Sequence, residues 1–505
     1  MTRPVLGVSV NSMEVQSKRY RVRPELCLFL LGGVLVFSCL GSKTLWTDEI
    51  SIDWMTQWDV ATTISHCRGA TGFCYSPPLG PLIVFFAKRV SDTEFMIRLP
   101  SAIVGLLLLV VFWKCTSEFI PRKAALASMA LMAVSPCFVY HAQDARLYIL
   151  MSLCTVTSTW LMIRAVYRPV NGFWPLYLLL ALVNAVNLYL SYFAWLALGI
   201  MFVVFFVLLS TSAAARAESR KRKSLYFLSA YALTALSYLP WLKDLLAIMQ
   251  RHTSGQVAPS AVVTLPFVGN LLLELCGGGW TGVVILGCVI IGAVYAAIHA
   301  RVVFLCGLLS LALSLAFLAM ARPSYEFSSR YFFFLHPLLM VAGGTGLWCV
   351  AEMLLRKTRI PSRAIIAFLS VVIAIPSSHD LYHYYRVDRS GWKKAADFIA
   401  QNLPPETLLL PGIHFSNASL NRYLIREHPT FEKVRLDPQL DYESLREVIL
   451  SCPNLWYVTH AWTHHDPKTK KLITERLIQV ADFEGYDPYR HVYIFVQQNR
   501  FRVKR

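Results

Sequence analysis

Charge is the scarcest property of this 505-residue chain. Charged residues make up 15% of it, where a soluble chain carries about 25%. Acids are scarcer still: 30 Asp and Glu stand against 48 Lys and Arg, a formal net charge of +18. Hydrophobic residues reach 56%. This balance excludes a cytosolic enzyme, a secreted disulfide scaffold and a disordered tail protein, and it predicts a polytopic membrane protein. Other absences narrow the field. There is no internal repeat, and the C-terminal quarter has no Gly-rich phosphate loop. No A-x-A site follows the first apolar stretch, which reads as a signal anchor rather than a cleaved leader. His460, His464, His465 and Asp466 fit no standard zinc spacing and read as a polar loop after a strand. The 12 cysteines fall mostly in apolar stretches, where they act as small hydrophobes.

The few acids are unevenly placed. Half of them lie in residues 379–505, which are near neutral, whereas the basic excess belongs mainly to residues 1–378. That division predicts a membrane domain, 1–378, and a soluble domain, 379–505. Each span needs ~20 mostly apolar residues. Eleven are expected, at about 26–42, 97–117, 124–140, 147–163, 175–191, 193–210, 225–242, 280–299, 302–320, 331–351 and 364–377. Basic residues cluster in alternate short loops: Arg122 and Lys123, Arg164 and Arg168, Arg216 to Lys223, Arg301, and Arg356 to Arg363. With the basic first arm, they place the N-terminus in the cytoplasm of a cell (inner) membrane protein and the C-terminal domain outside.

The outer loop 41–98 is long. Ile50, Trp54, Met55, Trp58 and Ile64 recur near helical spacing, which suits a helix lying in the interface, and a second such element is expected over Leu79–Val90. In residues 379–505, helix patterns at 391–402, 440–450 and 468–481 alternate with strand-like runs at 407–410, 455–459 and 491–496. A small α/β domain is expected.

Candidate chemistry lies on the outer side. Asp48-Glu49 directly follows the first span; the plain structural reading of Asp48 is a helix N-cap. Arg98 stands at a span entrance, where snorkelling is the ordinary explanation. Asp144 and Arg146 share a very short outer loop, and a local pair closing the turn would account for them. Arg330 and Tyr331 stand at the mouth of the tenth span, and the planar fork of Arg suits phosphate. Cys67 and Cys74 flank a turn that Gly69 and Gly72 permit, so a disulfide is expected there in an oxidising compartment.

Taken in order, the acidic pair, "SPPLGPL", "EFMIRLPSA", "SPCFVYHAQDARLY" and "SSRYFFFLHPLL" resemble the C-type (GT-C) glycosyltransferase superfamily. The similarity is greatest to bacterial relatives of protein O-mannosyltransferases and of the aminoarabinose and galacturonic acid transferases. "DRSGWKKAADFIAQNLPPETLLL" looks like the start of the outer domain of such enzymes. The resemblance implies a polyprenyl-phosphate-sugar donor, an outward-facing site and inversion at the sugar. Asp48 would be the catalytic carboxylate, with Glu49 and Asp144 beside it. Arg146 and Arg330, with Tyr331 and Arg98, would face the donor phosphate. The acceptor would be a glycolipid, protein or polysaccharide. Ser76 departs from the pattern, standing where relatives often have His or Lys. No D-x-D motif stands in the outer loops, so no cofactor is called for, and dependence on a divalent metal stays open. Two other classes compete: a transporter or flippase for lipid-linked sugars, expected to show polar or broken helices at mid-membrane, and a ligase using similar donors. No nucleic acid partner is expected, because the basic residues follow membrane loops.

Overall fold

The computed structural model describes residues 23–69, 76–167, 174–211, 217–253, 263–321, 329–358, 360–404, 407–412, 414–428, 440–460, 465–486 and 491–497. Helix α1 (Pro24–Phe37) opens on a proline, whose missing N–H costs nothing in a first turn, and stops where Ser38 turns extended. Cys39 then takes φ 57°. Three short helices come next: α2 (Thr47–Met55), α3 (Val60–Cys67) and α4 (Leu79–Val90). The interfacial helix expected through Ile50–Ile64 is thus two helices. The break falls where Asp59 caps α3, its Oδ1 accepting from the Thr62 amide at 2.6 Å. The second expected element matches α4 to the residue.

The membrane bundle comprises α5 (Glu94–Phe119), α6 (Arg122–Val134), α7 (Pro136–Ala142), α8 (Tyr148–Tyr167), α9 (Trp174–Leu188), α10 (Ala194–Thr211), α11 (Ala217–Ser237), α12 (Leu239–Thr253), α13 (Leu265–Leu275), α14 (Gly279–His299), α15 (Arg301–Ala321), α16 (His336–Lys357) and α17 (Ser362–Arg386). Among the described residues seven helices are long and apolar enough to cross a bilayer, or nine if the bent pairs α6–α7 and α11–α12 each form one span. Two expected spans, 26–42 and 175–191, correspond to helices of 14 and 15 residues, short of the ~20 a crossing needs. The expected count of eleven is therefore not reached on length and composition. Small residues set the packing: a methyl at Gly292 would collide with the Ala342 carbonyl, and one at Gly344 with Ser128. Their absence lets α16 lie against α14 and α6, as small residues do between membrane helices.

α17 runs through the expected domain boundary at 378 and ends only at Arg386. Beyond it come α18 (Trp392–Asn402), β1 (Leu408–Pro411), α19 (His414–Leu420), a π-helical turn (Asn421–Ile425), α20 (Tyr442–Ser451), β2 (Leu455–His460), α21 (Pro467–Arg476), β3 (Leu477–Phe483) and β4 (Val492–Gln497). The strands form one sheet in the order β1-β2-β4-β3, with β1 and β2 parallel and the other pairs antiparallel. The helix expected over 468–481 ends at Arg476, and its second half is β3. Ile478 and Gln479 pair there with Val496 and Phe495, so ladder hydrogen bonds replace helical ones.

Alternate strand residues divide between two cores. Leu410, Tyr457 and Phe495 meet Leu445, Ile449 and Ile473 of α20 and α21. Leu409, Trp456, Val458 and Ile494 meet Trp392 and Ile399 of α18, and this core continues into Ile50 and Ile52 of α2, Val84 of α4 and Ile97 of α5. The C-terminal domain is thus packed onto the short helices rather than hung from a linker.

Candidate active site

A buried strap, Lys43–Trp46, carries the chain from α1 into α2. The Thr44 amide and hydroxyl donate to Asp388 Oδ1 at 2.8 and 2.6 Å, and the Leu45 amide donates to the Tyr423 hydroxyl at 2.6 Å. Trp46 holds the N-cap position, so Asp48 lies inside the first turn of α2 and is not its cap. A carboxylate there is favoured by the helix dipole.

The loop Gln143–Leu147 approaches from α7. Gln143 Nε2 donates to the carbonyls of Val36 and Ser38, at 2.8 and 2.7 Å, closing the end of α1. The Ser101 hydroxyl donates to the Asp144 carbonyl at 2.5 Å. Leu147 takes φ 55°, a strained value for a residue with a branched side chain, kept only where the surroundings over-determine it. This turn sends the Arg146 side chain to Asp48. Arg330 arrives from the 3₁₀ turn Ser329–Leu335 that leads into α16.

Three charges meet. Arg330 Nη1 lies 2.8 Å, and Arg146 Nη2 3.5 Å, from Asp48 Oδ2. Aromatic rings wall the group: the Arg330 guanidinium is 5.0 Å from the Trp46 ring and 5.1 Å from that of Tyr331, and Arg146 is 6.0 Å from that of Tyr148. Burial pulls the Arg146 pKa down, but Asp48 and then Tyr148, with Tyr331, together outweigh it and the net shift is upward. Hydrogen-bonding capacity remains. Asp48 Oδ2 and Arg330 Nε are buried and make no well-directed hydrogen bond among the described residues. Two guanidinium groups beside one carboxylate suit an incoming anion that accepts several hydrogen bonds.

The other expected residues are placed differently. Glu49 points away from Asp48 and is fully buried. Arg98 grips it with Nε to Oε1 at 2.8 Å and Nη2 to Oε2 at 2.6 Å. Arg389 adds Nη1 to Oε1 at 3.1 Å, and the Ala145 amide donates at 3.1 Å. Burial works to raise the Glu49 pKa, yet Arg389 and then Arg98 overcome it and hold the carboxyl below its ordinary value. Arg98 therefore does not snorkel, and it does not face Asp48. Asp144 is buried behind the cluster, where Oδ1 accepts from Trp46 Nε1 and from the Arg146 amide, each at 3.3 Å. The Arg146 guanidinium pairs with Asp48, so an Asp144–Arg146 side-chain pair does not account for the turn. Tyr331 adjoins Arg330, its hydroxyl accepting from Nη2 at 3.4 Å. Cys67 is buried; Cys74 lies outside the described residues, and the expected disulfide with it. His460, at the end of β2, is held by Ser416, and His465, beyond the strand, by Tyr457 and Thr459; His464 also lies outside the described residues.

Trp46, Tyr148 and Arg389 were not singled out from the sequence. Arg389 had a signal: it stands in the "DRSGW" stretch that marked the outer domain.

Residues 75–242 match the family described as dolichyl-phosphate-mannose-protein mannosyltransferase. No curated protein matches the chain. Among solved structures, ArnT from Cupriavidus metallidurans in the apo state aligns over 93% of this chain and 97% of its own, at 15% identity and a TM-score of 0.57. The same protein bound to undecaprenyl phosphate aligns over the same shares at 16% identity and a TM-score of 0.50. The oligosaccharyltransferase AglB from Archaeoglobus fulgidus, in complex with an inhibitory peptide and a dolichol-phosphate, aligns over 95% of this chain and 75% of its own, at 12% identity and a TM-score of 0.56. The resemblance to C-type glycosyltransferases read from the motifs thus holds, and this multi-pass membrane protein has their fold.

Proposed function

We propose that this protein transfers a sugar from a polyprenyl-phosphate-linked donor to an acceptor hydroxyl on the outer face of the membrane, with inversion. The observation that carries the reading is the Asp48–Arg330–Arg146 cluster, set at the end of the bundle beneath the outer domain. The donor's phosphate competes with Asp48 for the two arginines. As they turn to the phosphate, the Asp48 carboxylate is released to accept a proton. The acceptor oxygen attacks the anomeric carbon while the bond from that carbon to the phosphate oxygen breaks. The hydroxyl proton passes to Asp48, and the polyprenyl phosphate leaves with its charge matched by Arg146 and Arg330. One displacement inverts the centre; retention would need a carboxylate nucleophile against the anomeric carbon. ArnT and AglB have been solved with undecaprenyl phosphate and dolichol-phosphate respectively, which supports the lipid class of the donor. A flippase is a poorer fit, because this cluster lies at one end of the bundle, not in broken helices at its middle.

The test is complementation of a deletion strain, with lipid, protein and polysaccharide fractions compared by mass spectrometry. The mass increment lost in the deletion names the sugar and its acceptor. Asp48→Asn keeps the side chain's shape and removes the base; it should slow transfer by about 10²–10⁴ while undecaprenyl phosphate still binds. Transfer near the wild-type rate by correctly inserted Asp48→Asn protein would reject the assignment.

A further inference from the structure

α2 is nine residues long, too short to hold a helical shape or a direction by itself. Its aim must come from its neighbours. Asp48 faces the arginine cluster, whereas Glu49 and Asp53, one helical turn apart, share a different face. Each of these two acids is gripped from two sides. Glu49 is paired with Arg98 from the membrane bundle, at 2.6 Å, and with Arg389 from the outer domain, at 3.1 Å. Asp53 repeats the arrangement one turn later. Lys88 of α4 lies 2.6 Å from Asp53 Oδ1, and Arg422 of the outer domain's π-helical turn lies 2.9 Å from it. Glu49, Asp53 and all four cations have side chains no more than 6% exposed. Arg422 also reaches Glu94, at 3.0 Å, and Asp92, at 3.4 Å, joining α2 to the start of α5. Ile50 and Ile52 then seat α2 in the apolar core shared with Trp392 and Leu424.

A hydrophobic core alone could carry the outer domain. Four buried cations on two acids are an expensive addition, because each ion must lose its water. What they add is direction: fixed forks at two points one turn apart set both the tilt and the rotation of a short helix.

We propose that the outer domain is a positioning device for the catalytic helix, and that Arg389 and Arg422 are positioning residues that aim Asp48 by holding Glu49 and Asp53. The proposal rests on the role given to Asp48 above. Arg422 is the better probe, since Arg389 lies close to the cluster itself.

The experiment uses the full chain in lipid nanodiscs and compares wild type, Arg422→Gln and Arg422→Lys. Amide hydrogen exchange is followed in α2 and, as the internal reference, in β2 and β4. Binding of undecaprenyl phosphate and sugar transfer are measured alongside. In Arg422→Gln, α2 should exchange about tenfold faster while β2 and β4 stay unchanged. Transfer should fall about tenfold with undecaprenyl phosphate affinity held within about threefold, because what is lost is the aim of the base and not the phosphate contacts. Arg422→Lys, which keeps the charge, should recover much of the α2 protection. Unchanged α2 exchange overturns the proposal. So does loosening of β2 and β4 together with α2, which would make Arg422 an ordinary stabiliser of its own domain. The two readings fail separately: transfer by Asp48→Asn refutes the base and leaves the exchange result standing, whereas unchanged exchange in Arg422→Gln refutes the clamp whatever Asp48→Asn does.

Discussion

The two sides of α2 present the same chemistry under different conditions. On one side Asp48 meets Arg146 and Arg330; on the other Glu49 meets Arg98 and Arg389. Each is one carboxylate between two guanidinium groups. Around Asp48 the side chains are 12–24% exposed, and Arg330 Nε has a donor to spare. Around Glu49 they are no more than 1% exposed, and both carboxylate oxygens carry directed hydrogen bonds. A salt bridge sealed from water on all sides cannot exchange partners and serves to hold. One that is partly open, with hydrogen bonds unmade, can trade its carboxylate for a phosphate. Access separates the two, not composition.

The sealed side should give the largest effect on stability. Glu49→Gln keeps the shape and removes the charge held between two buried guanidinium groups; breaking a buried pair typically costs about 3–5 kcal/mol. Thermal unfolding of the purified variant should show a large drop, whereas Asp48→Asn, on the open side, should unfold near the wild-type temperature. Equal losses would erase the distinction. Acid gives the same comparison another form. The Glu49 carboxyl is held below its ordinary value, so its contribution is complete above the unfolded value of about 4.3 and is lost as pH falls below that towards the folded one. This contribution should leave wild-type stability unaffected between pH 7 and about 5 and reduce it below about 4.3; the acid slope of Glu49→Gln should be shallower.

On the open side, the arginines should divide binding from rate less sharply than Asp48 does. Arg330→Lys keeps a charge but loses the fork, and charge-assisted hydrogen bonds are worth about 1.5–3 kcal/mol each. Undecaprenyl phosphate affinity and transfer should therefore both fall, by about tenfold or more. Arg146→Lys should fall less, because Arg146 lies farther from Asp48, at 3.5 Å against 2.8 Å. An arginine variant that lost rate alone, with phosphate binding intact, would move that residue out of the donor site.

Much of the open side was legible in the sequence, because its residues border apolar runs whose ends can be found by composition. Asp48, Arg146 and Arg330 each stand at such an end. The sealed side was less legible. Glu49 was grouped with Asp48 as a pair, although neighbours on a helix point about 100° apart, and which of them faces inward depends on the helix's packing. Arg389 reaches Glu49 across 340 positions, a distance no local pattern encodes. The missed strand β3 has the same cause: nothing between Arg476 and Leu477 breaks a helix, and only pairing with β4 makes a strand of Leu477–Phe483. The matched element, Leu79–Val90, is the opposite case, since Pro78 and Ser91 bound it locally.

The smallest effect is expected where an ion pair lies far from both sides of α2. Arg164 and Glu118 meet near the C-terminal ends of α8 and α5, the opposite end of α5 from Arg98. The geometry is good: Arg164 Nη2 approaches Oε2 at 2.6 Å, Nε approaches both oxygens, and Trp160 Nε1 donates at 2.8 Å. On distance alone this pair ranks with Glu49–Arg98. Its side chains, however, are 29% and 25% exposed, so water competes for both charges and either one can be solvated when its partner is removed. Glu118→Gln also keeps an oxygen for Trp160. The expected loss is about 0.2–1 kcal/mol, read as a small shift in unfolding temperature, with sugar transfer unchanged. A loss as large as that of Glu49→Gln would show that hydrogen-bond geometry, and not exclusion of water, decides what these pairs are worth. The contrast between the two sides of α2 would then need another cause.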